Sequence, residues 1–191
     1  MSTAVESSDR PERGVEQLPD DVKAFIQRLE DLSTRGDLAT LRRNAGNTLA
    51  QASSAMGPFY RMLPSEAYWE EEIYFLVATL YPLNPYKQKG DFGSTVAALR
   101  SAVDLKTLDR RMAILLDSDF DSVDDKVGGG SLSYRLRQFV KFAASKQVGV
   151  DWGRLLADLR YWTHPEKRVQ KRWARSYYQG TRPHAKEGGA R

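Results

Sequence analysis

The chain has 191 residues, of which 41% are hydrophobic, and this is enough apolar material for a folded core in one domain or two small ones. It carries 29 Lys and Arg against 25 Asp and Glu, contains no cysteine and has two histidines. These counts exclude a disulfide-stapled scaffold, a cysteine-ligated zinc or iron–sulfur site and thiol catalysis. No apolar run is long enough to span a membrane, and the acidic N-terminus does not resemble a signal peptide, so we expect a cytoplasmic protein.

The net charge of +4 conceals a gradient along the chain. Residues 1–21 have a net charge of −4 and residues 22–130 a net charge of −2, whereas residues 131–191 have a net charge of +10. A concentrated basic third is typical of proteins that contact a polyanion. A solvated basic surface gives the same count, so the decisive question is whether the basic residues share a face.

The first half of the chain predicts helices separated by glycine and proline. Residues 1–19 are polar and aperiodic and predict a disordered acidic tail. An apolar stripe at helical spacing then begins at Val22, and a second helix follows Gly36. The pair Gly57 and Pro58 predicts a break before a short apolar turn. Residues 66–81 are apolar nearly all round and predict one central, buried helix.

The second half predicts further helices, with N-caps at Ser94, Ser133 and Asp151. Pro165 suits the first turn of a last helix that runs to about Tyr178. No stretch alternates as a strand does, so we expect an all-α fold of about seven or eight helices in two packed groups. The predicted organisation is a disordered tail (1–19), an N-terminal helical subdomain (20–118), a flexible joint (119–130), a basic C-terminal helical subdomain (131–178) and a disordered tail (179–191).

The last helix gives the most informative pattern. Four cations lie at i, i+3, i+4 and i+7, which places them on one helical face, while an opposite face suits the core. The four are Arg168, Lys171, Arg172 and Arg175. This pattern favours binding to nucleic acid or another polyanion. A basic helix that faces water, or an acidic neighbour in the same fold, remains the alternative.

Other candidate residues carry weaker signals. Arg137 and Lys141 share a side of the preceding helix, and Lys87 and Lys89 lie in a loop beside aromatic residues, where they could clamp a phosphate. The run from Asp117 to Asp121 alternates as a calcium loop does, but the glycine and glutamate that an EF-hand requires are missing. We find no nucleophile–base arrangement, and we expect no metal and no cofactor.

Several short strings occur in an order and spacing that resemble the CasB family, the small subunit of the type I-E CRISPR Cascade surveillance complex. The strings are Leu41-Arg42-Arg43, residues 74–80, residues 84–94, Leu108-Asp109-Arg110-Arg111, Leu115-Leu116-Asp117, residues 134–138, Val150-Asp151-Trp152 with Leu155-Leu156, and Trp162 with residues 169–175. The similarity covers roughly residues 20–178, and its specificity comes from the ordered set.

The resemblance implies a helical, non-catalytic subunit that binds nucleic acid without sequence preference. It implies association with crRNA, with the displaced non-target DNA strand during R-loop formation, with the crRNA-bearing backbone and large subunit of Cascade, and with a second copy of the chain. The basic surface of the family maps onto Arg42, Arg43, Arg110, Arg111, Arg135, Arg137 and the 168–175 cluster. Lys87, Lys89 and Lys141 complete the predicted nucleic-acid-binding set.

Two rival functions remain open at the level of sequence. One is a helical adaptor whose basic face binds an acidic protein partner. The other is a helical enzyme that uses His164 together with a carboxylate, although a lone histidine before a proline is more often a capping or packing residue.

Overall fold

The computed structural model describes residues 17–32, 35–120 and 131–180, and in these ranges the chain forms helices and no strand. The nine α-helices are α1 (Asp20–Glu30), α2 (Arg35–Arg43), α3 (Ser53–Tyr60), α4 (Glu71–Leu80), α5 (Phe92–Ala97), α6 (Leu105–Leu116), α7 (Leu132–Ser145), α8 (Trp152–Leu159) and α9 (Arg168–Gln179). Short 3₁₀ helices lie at Leu49–Gln51, Ser65–Glu70, Tyr81–Leu83 and Arg100–Ala102. The predicted all-α fold is confirmed, whereas the nine described α-helices exceed the predicted seven or eight.

The additional helix is α3, which contains the pair Gly57 and Pro58 where the sequence predicts a break. A proline inside a helix removes one backbone hydrogen bond and disfavours the helix. Here Ala55 and Phe59 are completely buried on the inner side of α3. Packing of these two side chains against the core therefore outweighs the local cost of the proline.

Residues 66–81 form two elements and not the single predicted helix. A 3₁₀ helix over Ser65–Glu70 leads into α4. Its last residue, Glu70, has the non-helical backbone angles φ −124° and ψ 15°, which divide the two elements. The predicted burial of this region is correct for α4, where every residue from Tyr74 to Leu80 is buried. Helix α4 contacts α2, α7 and α8 and lies at the centre of the fold.

The structure confirms one of the three predicted N-caps. Asp151 caps α8 as expected, since its carboxylate accepts from the backbone N–H of Arg154 at 3.0 Å. The caps of α5 and α7 are Asp91 and Ser131, each a few residues before the serine that the sequence favours. Within a helix start that is rich in polar residues, the backbone and not the residue type decides which side chain caps.

One hydrophobic cluster contains residues from both sides of residues 121–130. The ring of Phe92 in α5 lies 5.2 Å from Trp173 in α9 and 6.3 Å from Phe139 in α7, between centroids. Helices α1 and α4 also contact α8. The predicted subdomains therefore pack on each other, and their boundaries stay a prediction. The predicted tails and joint fall largely on residues 1–16, 121–130 and 181–191, which lie outside the described residues.

Among the described helices, none combines the length and the apolar character that a membrane crossing requires.

A buried carboxylate joins α8 to α9. Asp158 is 2% exposed and accepts from the indole Nε1 of Trp173 at 2.6 Å. It also forms ion pairs with Arg172 of α9 and with Arg154, one turn earlier on α8, at 3.0 Å. Burial raises the pKa of the Asp158 carboxyl, and the indole N–H and the two guanidinium groups oppose that rise.

Replacing Asp158 tests this junction. Asp158→Asn keeps the side-chain volume but leaves two arginines without their carboxylate, and breaking a buried ion pair typically costs about 3–5 kcal/mol. We expect a loss of that order in the free energy of unfolding, measured by urea denaturation. The matched control is Glu166→Gln, which removes the exposed ion pair with Arg168 and should change stability little.

Replacing Gly93 tests the contact between α5 and α9. A Cβ atom at Gly93 would lie 2.1 Å from the backbone oxygen of Trp173, so Gly93→Ala forces the two helices apart. We expect a loss of about 1–3 kcal/mol in the free energy of unfolding. Gly36→Ala is the control, because Gly36 is exposed in α2 with no other atom near its missing Cβ. Equal stability of both variants would contradict the close approach of α5 and α9.

Candidate nucleic-acid interface

Helix α9 presents part of the predicted basic face to solvent. It begins at Arg168, and Pro165 therefore lies before the helix and not in its first turn, where the sequence places it. Val169, Trp173 and Tyr177 are buried on its inner side, as the spacing predicts. Lys171 and Arg175 are exposed and form no ion pair with a described residue. Arg168 is also exposed, but its Nε donates to Glu166 at 2.6 Å.

Arg172 differs from its three neighbours because it turns towards α8 and pairs with Asp158. The sequence pattern assigns it to the same face, since helical spacing gives no information about which side chain a neighbouring helix attracts. Arg154 also pairs with Asp158 and was missed by sequence reasoning. The sequence does indicate that Asp158 needs a cationic partner inside the fold. It is the single acid between Trp152 and Trp162 and lies beside the apolar Leu155 and Leu159.

A second group of cations lies where α7 approaches the end of α2. Arg137 lies over the turn that follows α2, because a Cβ at Gly46 would be 3.1 Å from Arg137 Cδ. Arg42 and Arg43 end α2 just before that turn and are exposed. Lys141 lies one turn after Arg137 on the same side of α7 and is exposed. The structure thus brings Arg137 of α7 next to the turn that follows the two arginines of α2.

A third group lies between α6 and α7. The Arg111 guanidinium lies over two rings of α7, 5.0 Å from the centroid of Phe139 and 5.7 Å from that of Phe142. Arg135 shares the Phe139 side of α7 because the two residues are one turn apart. Arg110, next to Arg111, is exposed on α6. Stacking on aromatic rings holds Arg111 in place without neutralising its charge.

The loop with Lys87 and Lys89 is held against the segment before α8. The backbone N–H of Val150 donates to Tyr86 O at 3.2 Å, and a Cβ at Gly149 would overlap the Lys87 backbone at 2.4 Å. Lys87 Nζ pairs with Glu30 at 2.7 Å, and this hydrogen bond raises the pKa of Lys87. Lys89 is exposed and pairs with no described carboxylate. Only Lys89 therefore presents an unneutralised charge here.

Arg135 and Arg137 have the least satisfied charges of the predicted set. Both are half-buried, and the Nε atom of each is shielded from solvent without a hydrogen-bond partner. Neither forms an ion pair with a carboxylate in the described part of the chain. A partly desolvated cation without a counter-ion is costly, and a phosphate that reached it would relieve that cost. These two positions therefore favour an anionic ligand.

Catalytic or metal chemistry finds little support among the described residues. His164 Nδ1 accepts from the backbone N–H of Glu166 at 3.2 Å, which is a local turn contact and not a pairing with a carboxylate. No three His, Asp or Glu side chains come together as a metal site in the described ranges. Of the acidic run that resembles a calcium loop, Asp121 lies outside those ranges, and Asp117 lies 3.6 Å from Lys167 Nζ.

Comparisons with known proteins identify the family of the chain. The family model of the CRISPR-associated protein Cse2 matches residues 37–178. A curated relative, the CRISPR-associated protein Cse2 of Thermus thermophilus, is 38% identical over 113 residues, and the match spans 57% of the chain and 57% of that relative. The chain thus matches little more than half of the curated relative's length.

Solved structures give the same result for the fold. The crystal structure of M. ruber CasB is 30% identical with a TM-score of 0.67, and the match covers 85% of this chain and 94% of that chain. A chain of a CRISPR RNA-guided surveillance complex has the same TM-score at 20% identity, covering 83% and 92%, and shows a shared fold alone. The resemblance to CasB is confirmed, and because the family model covers well over half of its length, the chain belongs to the CRISPR-associated Cse2 family.

Proposed function

We propose that this protein is the non-catalytic small subunit of a type I-E CRISPR Cascade complex and binds nucleic acid without sequence specificity. Its ligand is the displaced non-target DNA strand together with the crRNA–target assembly, and its task in antiviral defence is to stabilise the R-loop. Membership of the Cse2 family supports the association with a surveillance complex, and one solved structure that shares its fold belongs to a CRISPR RNA-guided surveillance complex. The site of action is the cytoplasm.

The observation that carries the proposal is the set of cations that the fold holds in place but does not neutralise. Arg135 and Arg137 are half-buried without a carboxylate, and Arg111 is stacked on two rings. Lys171 and Arg175 are exposed on a helix that the buried Val169, Trp173 and Tyr177 anchor in the fold. Since long side chains lose less entropy on binding when they are already held, such cations suit a polyanion.

This arrangement fits the energetics of R-loop formation. An RNA–DNA duplex is about as stable as the DNA duplex that it replaces, so the free-energy change of the exchange is small. Contacts to the sugar-phosphate backbone can therefore shift the equilibrium towards the R-loop. Such contacts must tolerate every sequence, and exposed cations on a rigid helical scaffold have this property. We propose as partners the crRNA-bearing backbone, the large subunit and a second copy of the chain.

Charge reversal on α9 tests the contribution of this helix. Lys171→Glu with Arg175→Glu removes two exposed cations and leaves the Arg172–Asp158 pair intact, so the protein should fold normally. We expect weaker binding of single-stranded DNA and a salt dependence that is less steep by about 0.7 per lost phosphate contact. Fluorescence anisotropy at several salt concentrations measures both quantities.

The matched control is Lys106→Glu with Lys146→Glu, which changes the net charge equally at exposed positions outside the predicted set. If both double variants lose affinity equally, net charge and not the α9 face determines binding. If the wild-type protein does not bind single-stranded DNA at low salt, nucleic-acid binding is wrong, and an acidic protein becomes the favoured partner of the basic face.

Replacement of the half-buried Arg137 tests whether its charge contributes to DNA binding and not to the stability of the fold. Arg137→Met keeps the aliphatic packing over Gly46 but removes a charge without a counter-ion. We expect unchanged or higher thermal stability together with weaker binding of single-stranded DNA. Arg172→Met is the contrast, because it leaves Asp158 short of a partner and should lower stability. A marked loss of stability in Arg137→Met would contradict the absence of an internal partner.

Co-purification tests membership of the complex independently of nucleic-acid affinity. The tagged protein is co-expressed with the remaining type I-E subunits and a crRNA, and recovery of the crRNA-loaded complex is expected. Failure to assemble would contradict the role as a subunit even if the free protein binds DNA.

A further inference from the structure

A cluster of exposed aromatic side chains is not part of the predicted nucleic-acid-binding set. Trp69 is 89% exposed, Tyr68 is 64% exposed, and their rings stack edge to face with centroids 5.1 Å apart. Tyr60 is 48% exposed and lies beside them, since its hydroxyl donates to Glu71 at 3.1 Å. The other three tryptophans of the chain are at most 3% exposed. A large aromatic surface left in water marks an interaction site.

The surroundings of these rings are acidic. Glu66 and Glu71 flank Tyr68 and Trp69 in sequence and form no ion pair with a described residue. Glu66 accepts from the hydroxyl of Ser65 at 3.2 Å, and Glu71 accepts from Tyr60. We call Tyr60, Glu66, Tyr68, Trp69 and Glu71 the acidic–aromatic patch. Its uncompensated carboxylates repel a phosphate backbone, so the patch does not suit the nucleic acid that the basic surface favours.

The backbone segment that carries Tyr68 and Trp69 is anchored in the fold. Tyr68 and Trp69 belong to the 3₁₀ helix Ser65–Glu70, which is anchored by the buried side chain of Ala67. At its end, Glu70 forms an ion pair with Arg160 of the segment after α8, with Oε2 2.6 Å from Nε. Because the segment that carries these rings is anchored before a partner arrives, its backbone does not have to be ordered on binding.

We propose that the acidic–aromatic patch docks a positively charged segment of a protein partner. An arginine or lysine of that segment lies over the face of Trp69, and Glu66 and Glu71 accept hydrogen bonds from its charged group. Trp is the ring that binds a cation best, and a guanidinium pairs well with a carboxylate while it stacks on an aromatic ring. One cationic side chain would thus cover the exposed ring and pair with the carboxylates at the same time.

The experiment uses the full chain and a synthetic peptide of alternating arginine and glycine as the probe. Because Trp69 is the exposed tryptophan, a change in tryptophan emission on titration reports on this patch, and calorimetry gives the affinity. We expect Trp69→Ala to weaken binding at least about tenfold and to abolish the emission change. Glu66→Gln with Glu71→Gln should weaken binding comparably, and a lysine–glycine peptide should bind more weakly than the arginine peptide.

The controls are Tyr134→Ala, an exposed tyrosine on α7, and Asp31→Asn, an exposed acid after α1, and neither should change the affinity. Absence of peptide binding at low salt, or equal binding by Trp69→Ala and the wild type, would overturn the proposal. So would two further results. Single-stranded DNA that changes the Trp69 emission would assign the patch to nucleic acid. Self-association that is lost in Trp69→Ala would assign it to a second copy.

Discussion

The buried carboxylate of Asp158 fixes the orientation of α9, and the basic surface depends on that orientation. The carboxylate accepts from the indole of Trp173 and pairs with Arg172, both on α9, while Arg154 approaches it from α8. A buried ion pair adds little net stability but is strongly destabilising when one partner is lost, so it acts mainly to specify one arrangement. With Trp173 and Arg172 held inward, Lys171 and Arg175 can only project outward.

The few acids of the C-terminal third are used inside the fold. Asp151 caps α8, Asp158 joins α8 to α9, and Glu166 pairs with Arg168, so each described carboxylate of this segment has an internal partner. The excess positive charge is therefore not balanced locally. The basic character of this segment depends on acids that are few and already paired as much as on the number of arginines.

The sequence predicts those features that depend on spacing within one helix. The burial of Val169, Trp173 and Tyr177 follows from their periodicity, and the Asp151 cap follows from its position before an apolar stripe. Features that depend on two elements could not be predicted in the same way. The pairing of Arg172 requires the position of α8, and the helix α3 forms through Pro58 because tertiary packing overrides a local propensity.

Arginines lie over aromatic rings at several places in this protein, and the rings that they cover differ from those of the acidic–aromatic patch. Arg111 lies 5.0 Å from the ring centroid of Phe139, and Arg100 lies 5.0 Å from that of Tyr177. Tryptophan binds a cation better than phenylalanine or tyrosine, yet no described arginine or lysine lies over Trp69. The flanking carboxylates of Glu66 and Glu71 make this position still more favourable for a cation. The described arginines that lie over rings are used inside the fold, and we therefore expect a protein partner to supply the cation that completes this site.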